Sequence, residues 1–203
     1  MKHVFLSLFI CCAICSFGQA TDDPFLKKPK TPVNRNRQEF GINFTVPKQN
    51  LGIGITSGGN YFTSYNMYIG IGFELYYKHF NNSSLGVKVT NVSSLIPFTM
   101  GYKFSKDKFF AIPYLGLFGG GAWQGQTYKD TSGATISSVL IADWGYAYGI
   151  KLGYNAGKIW PFLRVVHYHN FDADKTDGNF FTATPITIGI MYPARTRKKT
   201  HHR

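Results

Sequence analysis

The stretch Arg164-Val-Val-His167-Tyr-His169-Asn170-Phe171 is the one constellation in this chain with reactive side chains at usable spacing. His167 and His169 stand two apart, so on an extended strand they share a face. Two imidazoles on one face could begin a metal site, with Asp172 or Asp174 as a third ligand. They could equally be rim residues in ordinary hydrogen bonds. Asp172, Asp174 and Asp177 are spaced suggestively for weak calcium binding, but the rest of a calcium loop is missing. A solvated acidic loop is the plainer reading. Gly52-Ile-Gly54 and the run Gly119–Gly121 precede no helical period, so neither is a dinucleotide or phosphate loop. Glycine there gives strands room to pack closely and bend. No cofactor is expected.

The elements that must carry these residues are strands. Leu140, Ala142, Trp144, Tyr146, Tyr148, Ile150, Leu152 and Tyr154 alternate with Ile141, Asp143, Gly145, Ala147, Gly149, Lys151 and Gly153. A period of two puts a large apolar set and a small set with two charges on opposite faces. The same pattern runs through Phe40–Val46 and Leu51–Ile55, which are one bent strand or two, since Pro47 interrupts them. It recurs over 67–78, 84–93, 96–104, 109–123, 159–171 and 186–192. Eight strands result if 38–56 counts as one. Long polar connections (57–64, 124–137, 172–180) alternate with tight turns (81–83, 106–107, 155–157), and no helical period survives.

The ends read differently. Residues 1–20 have a basic start, a short apolar run from Val4 to Ile14 and small residues at Gly18 and Ala20, the form of a secretory signal. That run is shorter than the roughly 20 apolar residues a spanning helix needs. All three cysteines lie inside it, so the mature segment has no disulfide scaffold, no Cys-ligated zinc and no thiol catalysis. Residues 21–37 are a Pro-rich, basic linker, 38–193 the folded domain, and 194–203 a basic tail carrying Arg195, Arg197, Lys198, Lys199 and Arg203. The net charge of +12 therefore sits mainly in the ends. A secreted chain argues against nucleic acid. Anionic lipid or an acidic envelope protein is the fitting partner for the tail, unless it is simply solvated.

Two architectures accept such strands: a soluble sandwich or lipocalin-like barrel, and a membrane barrel. A sandwich core favours Val, Leu and Ile inside with Lys, Glu and Thr outside. Here the apolar face is strongly aromatic and the other holds mostly Gly and Ala. Small residues suit the narrow lumen of an eight-stranded barrel. Glu74, Lys78, Lys88, Lys103, Asp143 and Lys151 all read onto that inner face. Buried charge must be paired, so a lumenal ion-pair network joining Glu74 and Asp143 to some of these lysines is expected. The fold expected is all-β: an eight-stranded antiparallel transmembrane barrel. Loop asymmetry and an even strand count place it in an outer membrane with both termini periplasmic.

Ile96-Pro-Phe-Thr-Met-Gly-Tyr-Lys-Phe104 followed by Pro113-Tyr-Leu-Gly-Leu-Phe-Gly-Gly-Gly121 resembles the paired strands of the small outer-membrane β-barrel domain common in Bacteroidota, over roughly residues 38–193. The resemblance implies a fold similar to OmpA-type barrels and a role as anchor, adhesin or accessory subunit of an envelope machine. Such barrels often end on an aromatic residue, whereas eleven residues follow Tyr192 here. A second, more local resemblance is to the lipid A deacylase barrels, whose His-x-Ser pair and later carboxylate form a triad. His167 and Asn170 match that motif, but His169 stands at the serine position and cannot be the hydroxyl nucleophile. The acid position falls near Phe181, with Asp177 the nearest carboxylate. The expected function is thus non-enzymatic: a structural or accessory subunit of an envelope complex, in contact with outer-membrane lipid and another envelope protein, with no small-molecule substrate. The alternative is a lipid-modifying barrel centred on His167.

Overall fold

In a computed structural model of the chain, residues 36–45, 51–82, 87–128, 135–171 and 181–194 are described. The signal-like segment 1–20, most of the linker, the loop carrying Asp172, Asp174 and Asp177, and the tail residues Arg195, Arg197, Lys198, Lys199 and Arg203 lie outside them. The described chain is built from strands: β1 (Asn36–Phe44), β2 (Ile53–Phe62), β3 (Met67–Asn82), β4 (Val87–Tyr102), β5 (Phe104–Lys106), β6 (Phe109–Tyr128), β7 (Thr135–Tyr154), β8 (Trp160–Asn170) and β9 (Ile186–Pro193). Neighbours follow the order β4-β3-β2-β1-β9-β8-β7-β6, all antiparallel. A further ladder from Val87↔Tyr128 to Gly101↔Tyr114 pairs β6 with β4 and joins the two ends of that order. Eight long strands therefore form a ring in which every strand has two neighbours, and among the described residues the part of β7 before Gly145 projects past β8 and is laddered to β6 alone. The short β5 is a lip that folds back onto the start of β6 through a turn at Asp107, which adopts φ 54°.

The count of eight agrees with the sequence reading, but two of its boundaries do not. Residues 38–56 are two strands, β1 and β2, and 57–62 extends β2 where a polar loop was expected. Conversely, the expected strands 84–93 and 96–104 are one continuous β4. The split and the merger cancel. Arg37, assigned by sequence to the linker, lies in β1. The connections at 63–66, 103–108 and 155–159 are short and sit at the barrel end where the chain enters and leaves, the entry and exit tied by Ala194 N–H donating to the Asn36 carbonyl at 3.0 Å. The connections at the other end reach fifteen residues, at 171–185.

Parity then sorts every side chain. Ile112 in β6 is fully enclosed, whereas Ile188 in β9 is 60% exposed, because one faces the lumen and the other the outer wall. Phe40, Ile42, Ile55, Ile71, Phe73, Phe98, Leu117, Ile150 and Ile190 are likewise exposed and come from all around the ring. A continuous apolar belt of this kind suits a hydrocarbon surround and not water. Tyr61, Tyr102, Phe109, Tyr154 and Tyr192 edge the belt at the short-turn end, and Trp123, Trp144 and Phe171 at the other, as aromatic girdles do at bilayer interfaces. β6 and β7 span twenty residues each, about twice what a tilted strand needs to cross a bilayer. Past the belt the polarity inverts: Val87 and Val89 are buried inward, while Lys88 is exposed on the outside. Lys88 is thus not a lumenal residue. Because β4 is continuous, the parity of Ile96 and Phe98 outward carries through to Lys88 outward, and the supposed break at 93–95 had reset it.

Candidate functional site

On β8 the even positions Trp160, Phe162, Arg164, Val166, Tyr168 and Asn170 are buried in the lumen. His167 and His169 therefore lie on the outer wall. The ladder sets Tyr148 opposite His167 and Tyr146 opposite His169, with ring centroids 5.1 and 4.9 Å apart, and the two imidazoles lie 6.1 Å apart. His167 Nδ1 is 2.8 Å from the Thr184 hydroxyl. These contacts make a wall of stacked rings, and among the described residues no group of three His, Cys, Asp or Glu side chains gathers to hold a metal. Asn170, the deacylase-like match, faces the lumen and donates to Asp143 Oδ2 at 2.5 Å. His167 and Asn170 are thus on opposite sides of the wall. The acid position near Phe181 holds a ring buried against Phe118.

The lumen carries the chain's dense polar chemistry. Arg164 Nη2 meets Glu74 Oε1 at 2.6 Å and Thr187 Oγ1 at 2.8 Å, and Nη1 lies 3.8 Å from Glu39. Lys151 pairs with Glu39 and reaches Tyr68 Oη at 3.3 Å. Asn60 Nδ2 donates to Glu39 at 2.8 Å, the Tyr76 hydroxyl donates to Glu74, and Thr187 Oγ1 donates to Asn43 Oδ1 at 2.6 Å. Two cations and two carboxylates thus cross-link β1, β2, β3, β7, β8 and β9 through side chains alone. A charge pair this enclosed offsets its desolvation only because further hydrogen bonds complete it. Between these groups and Tyr114 only about 10 Å³ of void remains, room for roughly one water.

Of the residues assigned to an inner network by sequence, Glu74 and Lys151 belong to it, but with partners the sequence reading missed, Arg164 and Glu39. Parity held the signal: Glu39 precedes the inward Gly41 and Asn43 by even steps, and Arg164 shares its face with Phe162 and Val166. Asp143 is held by Asn170 and by the Trp144 N–H instead of a lysine. Lys78 lies 5.0 Å from the Phe80 ring, in a cation–π contact. Lys103 sits at the short-turn mouth, its Nζ 4.4, 5.5 and 5.6 Å from the Trp160, Phe62 and Phe110 ring centres. Arg37, at the same mouth, stacks its guanidinium 3.4 Å from the Trp160 ring centre and donates to the Lys158 carbonyl at 3.3 Å.

No protein-family model matches this chain, and no curated protein matches it. Solved structures do share its fold. A major outer membrane protein from Thermus thermophilus aligns with TM-score 0.60 at 12% identity, over 77% of this chain and 97% of that one. Ail, the attachment invasion locus protein of Yersinia pestis, aligns with TM-score 0.50 at 11% identity, over 77% of this chain and 96% of its own. Ail in complex with the heparin analogue sucrose octasulfate aligns with TM-score 0.52 at 13% identity over the same shares. The fold shared with these structures is that of small outer-membrane β-barrels.

Proposed function

We propose that this chain is a non-enzymatic outer-membrane β-barrel of the Bacteroidota type, with both termini periplasmic, acting as a structural or accessory subunit of an envelope complex. The observation that carries the reading is the packed lumen. The interior charges of Glu39, Glu74, Lys151 and Arg164 are engaged with one another, and bulky side chains fill the remainder. An interior spent on holding the wall leaves the loops, the outer wall and the two ends as the surfaces available for work. The basic tail 194–203, with Arg195, Arg197, Lys198, Lys199 and Arg203, joins the barrel at the short-turn end and is the natural contact for an anionic partner. Extraction from host membranes in mild detergent tests the proposal: a stable larger complex is expected, and its partner should be lost in a salt-sensitive way once 194–203 is deleted. A lone monomer under several mild detergents would overturn it.

A further inference from the structure

Among the described residues, the barrel's two ends differ in charge. At the short-turn end the described residues include Arg37, Lys103, Lys106, Lys108 and Lys158 against a single carboxylate, Asp107. At the other end Lys78 and Lys88 stand with Asp143. Within the short-turn mouth, Arg37 and Lys103 share the Trp160 indole, with Phe62 and Phe110 completing an aromatic floor. Arg37 is only 7% exposed, yet among the described residues neither cation forms an ion pair. Burial, and next the Arg37 charge, hold the Lys103 ammonium below its ordinary pKa. Cations enclosed without a counter-charge are costly. Rings can offset part of that cost by cation–π attraction, and an entering anion would relieve the rest.

We propose that this mouth is a docking cup for an acidic peptide segment of a partner protein, one carboxylate seated between Arg37 and Lys103 and its neighbours meeting Lys108 and Lys158. The inference rests on the accessory-subunit reading and names the chemistry of its partner. A run of carboxylates fits better than a single small anion, because Lys108 and Lys158 stand on the turns beside the Arg37–Lys103 pair. It fits better than a lipid headgroup, because the cup lies inside the ring of strands. A headgroup anchored outside the apolar belt would have to cross the rim, whereas an extended peptide enters along the barrel axis.

The test is titration of a fluorescein-labelled hexaglutamate peptide onto the full chain in neutral detergent micelles. Saturable binding is expected, weakening steeply as salt rises. Lys103→Gln should lower affinity about tenfold, the scale of one charge-assisted contact, and Lys88→Gln at the far end should leave it unchanged. Lys158→Gln, which keeps the backbone carbonyl that Arg37 uses, carries the test if Lys103→Gln does not fold, with a loss of about threefold for a rim charge. No saturable binding, or binding indifferent to both mouth variants, would overturn the proposal. So would complete displacement of the peptide by phosphatidylglycerol, which makes a headgroup the occupant. Tenfold tighter binding by the Asp22→Asn, Asp23→Asn variant would overturn it too, because the chain's own acidic pair would then be the occupant. Failure of the peptide with a complex that still co-purifies removes the cup alone, and a bound peptide with no complex in the host removes the accessory role.

Discussion

Arg164 ties its own strand to three others through a single side chain. It touches Glu74, Glu39, Thr187 and Asn43, which belong to β3, β1 and β9. Truncating it leaves two carboxylates enclosed with less positive charge to face. Arg164→Ala should lower stability by about 3–5 kcal/mol, the usual cost of stranding a buried charge, read as a lower urea midpoint in micelles by tryptophan fluorescence. Arg164→Lys should recover only part, since an ammonium cannot reproduce the forked contacts to Glu74 and Thr187 together. An unchanged midpoint for Arg164→Ala would show that the network contributes nothing. At this scale the sequence was half legible. Glu74 and Lys151 were readable as inward, because each sits among small residues at period two. Their partners were not, because which residues meet across a lumen depends on how six strands stagger around it.

Parity governs the element scale. A strand that starts one residue out of step exposes its core face, and β4 is where the chain tests this. Read as two pieces, it puts Lys88 inside; as one strand, it puts Val87 and Val89 inside and Lys88 in solvent. Small inner residues are as strictly required. A Cβ on Gly153 would collide with the Phe110 ring, so the space that glycine leaves is filled by the floor of the short-turn mouth. Outward positions should divide by depth. Ile150→Arg, in the belt between Tyr148 and Leu152, should cost about 2–4 kcal/mol of folding free energy into lipid vesicles, as cationic substitutions near a bilayer midplane do. Lys88→Arg, beyond the belt, should cost almost nothing. Equal costs at the two sites would mean that the apolar ring is not in contact with lipid.

Over its described residues the barrel is a closed ring of strands with a filled lumen, and its short-turn end is rich in cations. The void beside Glu39, Tyr114 and Arg164 is only about 10 Å³, room for roughly one water, and the paired charges and rings around it block a water path there. Reconstituted into a planar bilayer, the protein should pass no steady ion current, and a reproducible open level would show that the lumenal pairs part. The same closure is why the proposed role rests on surfaces: side chains already occupy the lumen, and the basic mouth lies at the end where Asn36 and Ala194 meet.

Alternation, aromatic content, glycine on the small face and the absence of any helical period were enough to point to an all-β barrel, because side-chain direction in a strand repeats every two residues whatever the surroundings. The count of eight came out only because one split and one merger cancelled. That His167 and His169 share a face was also implicit in their spacing, but that this face is the outer one was not. Tertiary structure alone decided that β1 and β2 are separate, that β4 is whole, and that Asn170 turns away from His167 into the lumen. It also decided that Glu39 and Arg164 complete the ion pairs and that Arg37 and Lys103 meet over one indole. These are contacts between residues far apart in sequence, set by the stagger of strands in a closed ring, and a local period carries no record of that stagger.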